Sequence, residues 1–490
     1  MGRFYITTAI DYVNAKPHIG HAYEKVIADI IARWQRLRGE KVFYLTGTDE
    51  NAEKNSQAAK EAGVPVREFV DKNVEFFKNL CKTLNISNDY FIRTTEERHI
   101  KISQDIFRKV LEKGDIYKDF YEGLYCEGCE GYLTEKDLVG GKCPEHQKPP
   151  KPLREEAYFF RLSKYNDHIV KLLESPNFVI PKEKRNEMLS RIKSDDLKDL
   201  CISRKNLYWG IDVPDDKNHK IYVWFDALIN YVSAIGYPDG GKFKEFWPAD
   251  IHLIGKGINW FHSVIWPAML ISAGIKPPKT ILVHGYLTVN GQKISKSLGV
   301  QIDPLEIVKK YGADPVRYLF AREIPMGEDG DFSEQALKDR LNNELANDLG
   351  NLLSRVVKMI EKSFSGNVPQ GKVDEKLSKQ LRVESIEKYM DKFELHNALA
   401  EIWNFIRACN RYINEKEPWK LEGKELQDIL YTLADSLRII SILISPFIPA
   451  TSEKINEQLG LKPGILKDVK FGLLKGGKIK RGEHLFNKVK

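Results

Sequence analysis

The chain has 490 residues, of which 42% are hydrophobic and 30% are charged, and its formal net charge is +7 at pH 7. This length exceeds what one hydrophobic core supports, so about two to four domains are expected. No apolar run is long enough for a membrane span and no secretory signal is visible, so we expect a cytoplasmic protein without membrane contact. The modest positive charge permits a polyanionic partner but does not require one.

The first stretch of the chain, Arg3 to Leu37, predicts a strand, a loop and a helix. RFYITTAI is aromatic and β-branched, which favours a buried strand, and AYEKVIADIIARWQRL repeats apolar residues at the helical period. His18 and His21 lie in the connecting loop, where the unpaired amides and the dipole of a helix start attract anions. Two imidazoles there can donate to phosphate oxygens, although such histidines alone are more often caps or surface groups.

The next segments predict a parallel sheet with ligands at the carboxyl ends of its strands. KVFYLTGTDE indicates a second strand, and helical patterns follow over 51–61, 66–84 and 97–113. Asp49 ends the second strand, where a carboxylate can meet a substrate amino group. By itself, a loop cap is the simpler interpretation of Asp49.

Short strand-like pieces with glycines and prolines, from about Tyr117 to Arg204, predict an insertion into the sheet domain. This insertion holds four soft or borderline metal ligands in two closely spaced pairs: Cys126, Cys129, Cys143 and His146. Four such ligands close a tetrahedral zinc site without an open position, so the pattern favours a structural metal over a catalytic one. Reduced, unligated thiols are the alternative.

The chain returns to strand and helix patterns after the insertion. Trp224 and Tyr231 are two helical turns apart and share a face, so they line a pocket or belong to the core. A strand, ADIHLIG, then precedes a helix that carries His262 and Trp266 at i and i+4. A third strand, KTILVHGYLTV, leads to the loop KISKS at 293–297, whose lysines and hydroxyls suit closure over a polyphosphate.

The C-terminal part is almost wholly helical in pattern. Helical repeats over 341–364, 376–412 and 425–444 with short or polar loops predict an antiparallel bundle. Asn351 and Arg355 share one face of the first of these helices. The lysine-rich tail after Lys462 is expected to be a solvated extension, with a weak nucleic-acid contact as the alternative.

Taken together, HIGH at 18–21 and KISKS at 293–297 resemble the paired signatures of the class I aminoacyl-tRNA synthetases. The segments TAIDYVNAKPHIGH, YLTGTDE, YVWFDALINY, GKGINWFHSVIWPAML and HGYLTVNGQKISKS narrow the resemblance to the methionyl-tRNA synthetase family, over essentially the whole chain. The resemblance implies an α/β fold: a Rossmann-like parallel-sheet catalytic domain, an inserted zinc-knuckle connective domain and a C-terminal all-α helical bundle. It also implies ATP-dependent ligation of L-methionine to its tRNA through methionyl-adenylate, with release of pyrophosphate and then AMP.

The resemblance also implies roles for individual residues. The methionine pocket would be formed by Ile10, Tyr12, Asp49, Trp224, Leu228, Tyr231, Ile258, His262 and Trp266. ATP would be held by His18, Gly20, His21, Lys256, His284, Gly285, Lys293 and Lys296. Activation would be promoted by His18, His21, Lys293, Lys296 and Arg204. The tRNA anticodon would be read by Asn351, Arg355 and Trp419.

The patterns and the resemblance divide the chain into six segments. These are the two halves of the catalytic domain at 1–116 and 205–280, the connective insertion at 117–204, the KISKS loop and stem-contact linker at 281–340, the anticodon-binding bundle at 341–462 and the basic tail at 463–490. The expected partners are ATP with Mg²⁺, L-methionine, one structural Zn²⁺ and the methionine tRNA including the initiator, and the expected state is a monomer.

Two other functions stay open on the sequence alone, a tRNA-binding paralogue without activation activity and a class I synthetase for another amino acid. Four positions also depart from the family pattern. Asn51 and Ala52 replace His-Gly, Gly257 replaces an aspartate, and Ile294 replaces the methionine of the second signature. The change at Gly257 removes a carboxylate close to the expected substrate.

Overall fold

A computed structural model of the chain describes residues 2–129, 131–205, 207–289, 291–293 and 302–489. The first part alternates strands and helices, as predicted. The elements are β1 (Arg3–Thr8), β2 (Asp11–Tyr12), α1 (Ile19–Leu37), β3 (Lys41–Asp49), α2 (Glu53–Glu61), α3 (Val66–Thr83), β4 (Tyr90–Arg93) and α4 (Glu97–Glu112). Because α1 begins at Ile19, His21 lies in its first turn and not in the loop before it.

The inserted part contains helices as well as the predicted short strands. Its elements are β5 (Ile116–Cys126), β6 (Gly131–Leu133), β7 (Lys151–Phe160), α5 (Asn166–Glu174), β8 (Val179–Ile180), α6 (Lys182–Ser194), β9 (Leu200–Cys201) and β10 (Ser203–Lys205). The expectation of strands alone is wrong here because α6 buries only Met188 and Ile192, too few apolar residues to give a helical stripe. β8 also pairs with the main parallel sheet, so this segment is not wholly separate from it.

The third part returns to the sheet and ends before the bundle. Its elements are β11 (Asp212–Val213), β12 (Asp216–Ile221), α7 (Val223–Ser233), α8 (Gly241–Phe246), β13 (Ile251–Gly255), α9 (Trp266–Ser272), β14 (Ile281–His284), β15 (Leu287–Val289), β16 (Gln292–Lys293), α10 (Pro304–Tyr311), α11 (Ala313–Glu323), β17 (Gly330–Phe332) and α12 (Glu334–Arg340). The single strand predicted over KTILVHGYLTV is therefore two strands, β14 and β15, which belong to different sheets.

The main sheet positions the loops that carry the signature residues. Its order is β2-β3-β1-β13-β14-β8, with β4 beside β3, and all its pairs are parallel. The chain leaves β1 toward β3 on one side, while β13 pairs with β1 on the other, which makes a switch point where ligands bind in such sheets. Since Thr8 is in register with Leu253, the loops after β1 and β13 leave the same edge.

The bundle follows a π-helical segment at Leu341–Gly350. Its helices are α13 (Asn351–Phe364), α14 (Glu375–Ser378), α15 (Val383–Asp391), α16 (Leu395–Lys416), α17 (Gly423–Ile444) and α18 (Pro449–Leu459). The pattern predicted as one helix over 376–412 is thus three, and Phe393, at a φ of 61°, turns the chain between the last two. None of the helices in the described ranges combines the length and the apolar character that a membrane span needs.

The tail after Lys462 packs against the bundle, so the expectation of a solvated extension is wrong. Four of its apolar side chains are buried, namely Val469, Leu474, Ile479 and Leu485. Near the end of the tail, the backbone N–H of Val489 donates to Asn342 Oδ1 at 2.9 Å, and the Asn342 amide donates to the Val489 carbonyl at 2.8 Å. The buried residues are spaced irregularly among lysines, which hides them from a periodicity argument.

Candidate active site

Two stacked histidines start α1 at the sheet's switch point. The backbone N–H of Gly20 donates to Nδ1 of His18 at 3.1 Å, and the backbone N–H of His18 donates to Nδ1 of His21 at 3.0 Å. The ring centroids are 3.7 Å apart with an interplanar angle of 22°. Burial lowers the pKa of each imidazole to about 3, so both are neutral at physiological pH. Because each Nδ1 accepts a hydrogen bond, each proton is on Nε2.

The second half of the sheet meets α1 through His284, at the end of β14. Its Nε2 lies 3.0 Å from Oε2 of Glu24 on α1. Gly285 follows, and a Cβ at that position would lie 2.0 Å from the Glu328 carbonyl oxygen, so only glycine fits without a shift. The predicted ATP ligands His18, His21 and His284 therefore all lie at the first two turns of α1.

Lys256 follows β13 at the same edge of the sheet. Its Nζ lies 2.7 Å from Oδ2 of Asp329 and 4.7 Å from the centroid of the Tyr286 ring. The lysine loop starts nearby, because β16 pairs with β15 with Thr288 opposite Lys293. The Lys293 side chain and the whole of Lys296 lie outside the described residues.

A narrow pocket brings together eight of the nine residues predicted to bind methionine. They are Ile10, Tyr12, Asp49, Trp224, Leu228, Tyr231, Ile258 and His262. Ala9, Ala227 and Asn230 complete the lining and escaped prediction, because small and amide side chains carry no signal for an apolar ligand. The ninth residue, Trp266, lies behind the lining, with its ring centroid 6.0 Å from that of Tyr231. Asp49 is the only acidic side chain in this lining.

Hydrogen bonds fix the polar end of this pocket. Nδ1 of His262 donates to the Ile258 carbonyl at 3.0 Å, so its Nε2 accepts from the Tyr231 hydroxyl at 2.7 Å. Burial lowers the pKa of His262 to about 4, which keeps the ring neutral. Trp224 stacks on Phe261 with a centroid distance of 3.9 Å. The result is an aromatic chamber with one carboxylate, which suits an amino acid whose side chain is apolar.

Two of the departures from the family pattern, Asn51 and Gly257, have local structural partners, and Ile294 lies outside the described residues. The Asn51 amide donates to the Thr94 carbonyl at 3.2 Å and to Oδ2 of Asp226 at 3.1 Å, which ties the end of β3 to α7. At Gly257, a Cβ would lie 2.0 Å from the Tyr286 hydroxyl, so the glycine makes room for this tyrosine. The loss of a carboxylate at 257 is thus accompanied by a ring that occupies the adjacent space.

Arg204 does not line the pocket. On β10, its guanidinium lies 2.9 Å from a carboxylate oxygen of Glu155, 3.4 Å from one of Glu53 and 4.1 Å from the centroid of the Tyr125 ring. A direct role in activation therefore stays a prediction, and it requires this side chain to leave both carboxylates.

The four predicted metal ligands converge in the inserted part. Their ligand atoms all lie within 4.8 Å of one another, and Sγ of Cys129 is 3.4 Å from Sγ of Cys143 and 3.2 Å from Nδ1 of His146. Sulfur ligands of a tetrahedral zinc are about 3.8 Å apart when each Zn–S bond is about 2.3 Å. The three thiols are free of disulfides, so this donor set fits a zinc ion.

The predicted anticodon residues form a polar patch with an aromatic ring on the bundle. Arg355 donates to Oδ1 of Asn414 at 2.8 Å, and its guanidinium lies 5.9 Å from the centroid of the Trp419 ring. Trp419 is 55% exposed, which excludes the alternative that it belongs to the core. Asn351 is exposed one turn before Arg355. The patch therefore offers amide, guanidinium and stacking surfaces to solvent.

Family models match both the sheet-containing part of the chain and the C-terminal bundle. The family model described as "tRNA synthetases class I (M)" matches residues 4–151 and 146–357, and that of the anticodon-binding domain of tRNA ligases matches residues 378–471. The chain is 50% identical to a methionine–tRNA ligase of Caldanaerobacter subterraneus subsp. tengcongensis and 48% identical to that of Thermotoga maritima. Each alignment covers 99% of this chain, and 79% and 80% of the relatives.

A solved structure gives the same answer. Mycobacterium tuberculosis methionyl-tRNA synthetase in complex with methionyl-adenylate superposes with a TM-score of 0.95 at 39% identity, covering 99% of this chain and all of the other. The apo form of that enzyme superposes with a TM-score of 0.88 at 36% identity, covering 100% of this chain and 99% of the other. The chain therefore belongs to the methionyl-tRNA synthetases of class I, the methionine–tRNA ligases.

Proposed function

We propose that the pocket beside β2 and α7 holds L-methionine and that the start of α1 holds ATP next to it. Asp49 is the acidic group that can receive the α-ammonium, and the rings of Tyr231 and Trp224 can contact the thioether. Sulfur and aromatic rings attract weakly, by about 0.3–1.5 kcal/mol per contact. The observation that carries this proposal is the convergence of one carboxylate and several aromatic rings on a single pocket.

The two proposed ligand sites lie next to each other. The pocket residues Ile10 and Tyr12 flank Asp11, and Oδ1 of Asp11 lies 3.9 Å from Nε2 of His21 at the start of α1. ATP enters as its magnesium complex, with its phosphates at the amides and dipole of α1. We propose that ATP is bound by the Nε2–H of His18, by Lys256 and by His284 at the end of β14. Gly20 and Gly285 would let ATP approach the backbone closely. Lys293 and Lys296 would contact the departing pyrophosphate.

The reaction follows from this arrangement. An oxygen of the methionine carboxylate attacks the α-phosphorus, and the bond to the bridging oxygen of pyrophosphate breaks as the new P–O bond forms. Negative charge develops on the phosphoryl oxygens, so fixed N–H donors and ammonium groups stabilise the transition state, and no side-chain nucleophile is needed. A hydroxyl of the terminal tRNA ribose then attacks the methionyl carbonyl, and AMP leaves.

The cysteine cluster would hold a structural Zn²⁺ through Cys126, Cys129, Cys143 and His146. Such an ion, when bound, cross-links the loop between β5 and β6 to the segment before β7. The exposed patch around Trp419 is proposed to bind the anticodon of the methionine tRNA, including the initiator. Action as a monomer in the cytoplasm, and the six-segment division with β8 as an added strand of the catalytic sheet, are further proposals that rest on the resemblance.

The alternative of a paralogue without activation activity has little support. The helix start keeps both histidines with donor tautomers, and the pocket keeps its carboxylate. An amino-acid panel in ATP–pyrophosphate exchange separates the alternatives, because exchange with methionine alone supports our proposal. Exchange with a different amino acid, or with none, contradicts it.

Asp49→Ala tests the pocket directly. A hydrogen bond to a charged group contributes about 1.5–3 kcal/mol, so we expect kcat/KM for methionine to fall by about 10- to 150-fold. Asp105→Ala serves as control, because Asp105 lies on the surface of α4 and pairs only with Arg108 among the described residues. Methionine-dependent exchange that survives Asp49→Ala at the control rate would contradict the proposed ammonium contact.

A further inference from the structure

Three buried charged side chains lie beneath the stacked histidines. Lys25 is 0% exposed, and its Nζ lies 2.7 Å from Oδ2 of Asp11 on β2 and 3.8 Å from Oε1 of Glu24. A lysine is almost never fully buried unless it is paired, because removal of an ammonium group from water costs several kcal/mol. Lys25 and Glu24 interrupt the apolar stripe of α1 next to Val26 and Ile27.

Both carboxylates of this cluster also face an imidazole of the proposed nucleotide site. Oδ1 of Asp11 lies 3.9 Å from Nε2 of His21, while Oε2 of Glu24 lies 3.0 Å from Nε2 of His284. Asp11, Lys25 and Glu24 therefore form a row of charged side chains that leads from β2, across α1, to β14. This row connects His21 at one end to His284 at the other.

We infer that Lys25, paired with Asp11, is a positioning residue for ATP that acts together with burial to hold the His21 ring in the form that anchors the helix start. The inference rests on the proposed nucleotide site. If Lys25 were absent, the unpaired Asp11 carboxylate would attract a second proton to His21. A protonated His21 has no lone pair on Nδ1, so it cannot accept the backbone N–H of His18, and the loop that presents His18 loses its anchor.

The other groups packed around His21 do not replace this function. His18 stacks on it, and from α3 the Phe77 ring packs edge-on at 5.5 Å. Cys81, also on α3, lies near Lys25, and burial raises the pKa of its thiol to about 12, so it is uncharged. On β3, the Tyr44 hydroxyl donates to the Lys25 carbonyl at 3.0 Å. In the described part of the chain, Asp11 is the only acidic residue within ion-pair distance of His21.

The test measures ATP–pyrophosphate exchange of the full chain between pH 6 and pH 8.5 for wild type, Lys25→Met, Asp11→Asn and the double variant. We expect Lys25→Met to raise KM for ATP at least about tenfold, the equivalent of about 1.4 kcal/mol, and to change KM for methionine less than about twofold. We also expect its kcat/KM for ATP to fall as the pH is lowered, because His21 then becomes protonated in the assay range. In the double variant, Asp11→Asn also removes the carboxylate, so the acid limb should disappear.

Lys41→Met is the matched control, because Lys41 is a 59% exposed lysine paired with Glu245 at the far end of β3. It should behave as wild type. Absence of exchange in wild type would refute the proposed function and not this inference alone. With wild type active, an unchanged KM for ATP in Lys25→Met, or equal losses for both substrates without an acid limb, overturns the inference. If Lys25→Met fails to fold, Lys25→Gln decides: it should raise KM for ATP with the same acid limb, and an unchanged value overturns the inference.

Discussion

A buried imidazole outside the candidate site has hydrogen-bond partners that suit the uncharged ring. His99 on α4 is 0% exposed, with Nδ1 at 2.8 Å from the Ser233 hydroxyl and Nε2 at 3.3 Å from the Ser103 hydroxyl. Burial lowers its pKa to about 4, despite the nearby Asp226 carboxylate at 3.5 Å. The hydroxyls can act as donor or acceptor, so they stabilise the neutral tautomer without a charge.

This pKa predicts how stability depends on pH. The unfolded chain binds a proton at His99 below a pH of about 6.5, whereas the folded chain does so only near pH 4. The contribution of the neutral ring is thus complete above about pH 6.5 and is lost as the pH falls toward 4. We expect His99→Gln to reduce the pH dependence of the free energy of unfolding in this window by up to about 1.4 kcal/mol per pH unit.

Urea denaturation at several pH values measures this effect. The difference between variant and wild type at pH 8 reports the packing cost alone and serves as the internal reference. An identical slope for both proteins between pH 6 and pH 5 would show that His99 titrates alike in the folded and unfolded chains, contrary to the prediction.

Sequence reasoning found the residues that carry ligand chemistry more readily than those that support them. Asp49, His18 and His262 stand in recognisable segments, and the structure places them at the helix start or in the pocket lining. Lys25 and Asp11 escaped because charge on a helix or after a strand ordinarily indicates solvent exposure. Only the three-dimensional pairing shows that both side chains are buried.

At the scale of elements, the sequence predicts those helices and strands whose hydrophobic periodicity is strong and misses those whose periodicity is weak. The alternation of β1, α1 and β3 follows from a clear change of period in the sequence, and the structure has it. Helix α6 and the breaks inside 376–412 depend on tertiary packing and on a single residue of positive φ, Phe393. No local sequence pattern indicates this helix or these breaks, so they cannot be predicted from a single sequence.

In the cysteine cluster of Cys126, Cys129, Cys143 and His146, one glycine determines how much space is left for a ligand side chain. A Cβ at Gly128, between the first two cysteines, would lie 2.5 Å from Cγ and Cδ2 of His146. Gly128→Ala must therefore displace the imidazole, and we expect a lower zinc content per chain after dialysis against a weak chelator. Gly241→Ala is the control, because no neighbouring atom lies within 4 Å of a Cβ at that position.

Metal analysis by atomic emission and the absorption spectrum of the cobalt-substituted protein measure this outcome. In the cobalt form, the loss of one nitrogen ligand changes the tetrahedral spectrum even where total metal is retained. Equal metal content and equal spectra for both alanine variants would contradict the steric argument.

At the scale of the whole molecule, one buried arginine connects the catalytic sheet to the bundle. Arg317 on α11 is 0% exposed, and its guanidinium lies 2.8 Å from Oδ2 of Asp29 on α1. It also donates to the carbonyls of Phe447 at 2.8 Å, Pro446 at 2.9 Å and Leu84 at 3.1 Å. The same helix α1 thus starts at the proposed nucleotide site and receives, near its middle, the connection to the bundle. Arg317 therefore ties α1, which begins at the proposed nucleotide site, to the segment between α17 and α18 of the bundle.

Because the proposed anticodon patch shares no residue with the proposed methionine pocket, we expect its loss to affect one half-reaction only. Trp419 is exposed beside Arg355, and a base that stacks on an aromatic side chain gains about 1–3 kcal/mol. We expect Trp419→Ala to lower kcat/KM for the methionine tRNA in aminoacylation by about 5- to 150-fold, while methionine-dependent ATP–pyrophosphate exchange keeps the wild-type rate. Trp419→Phe retains an aromatic platform and should lose much less. Equal charging by the alanine and phenylalanine variants would contradict stacking, and a parallel loss of exchange would place the effect at the catalytic site, through the fixed connection that Arg317 provides.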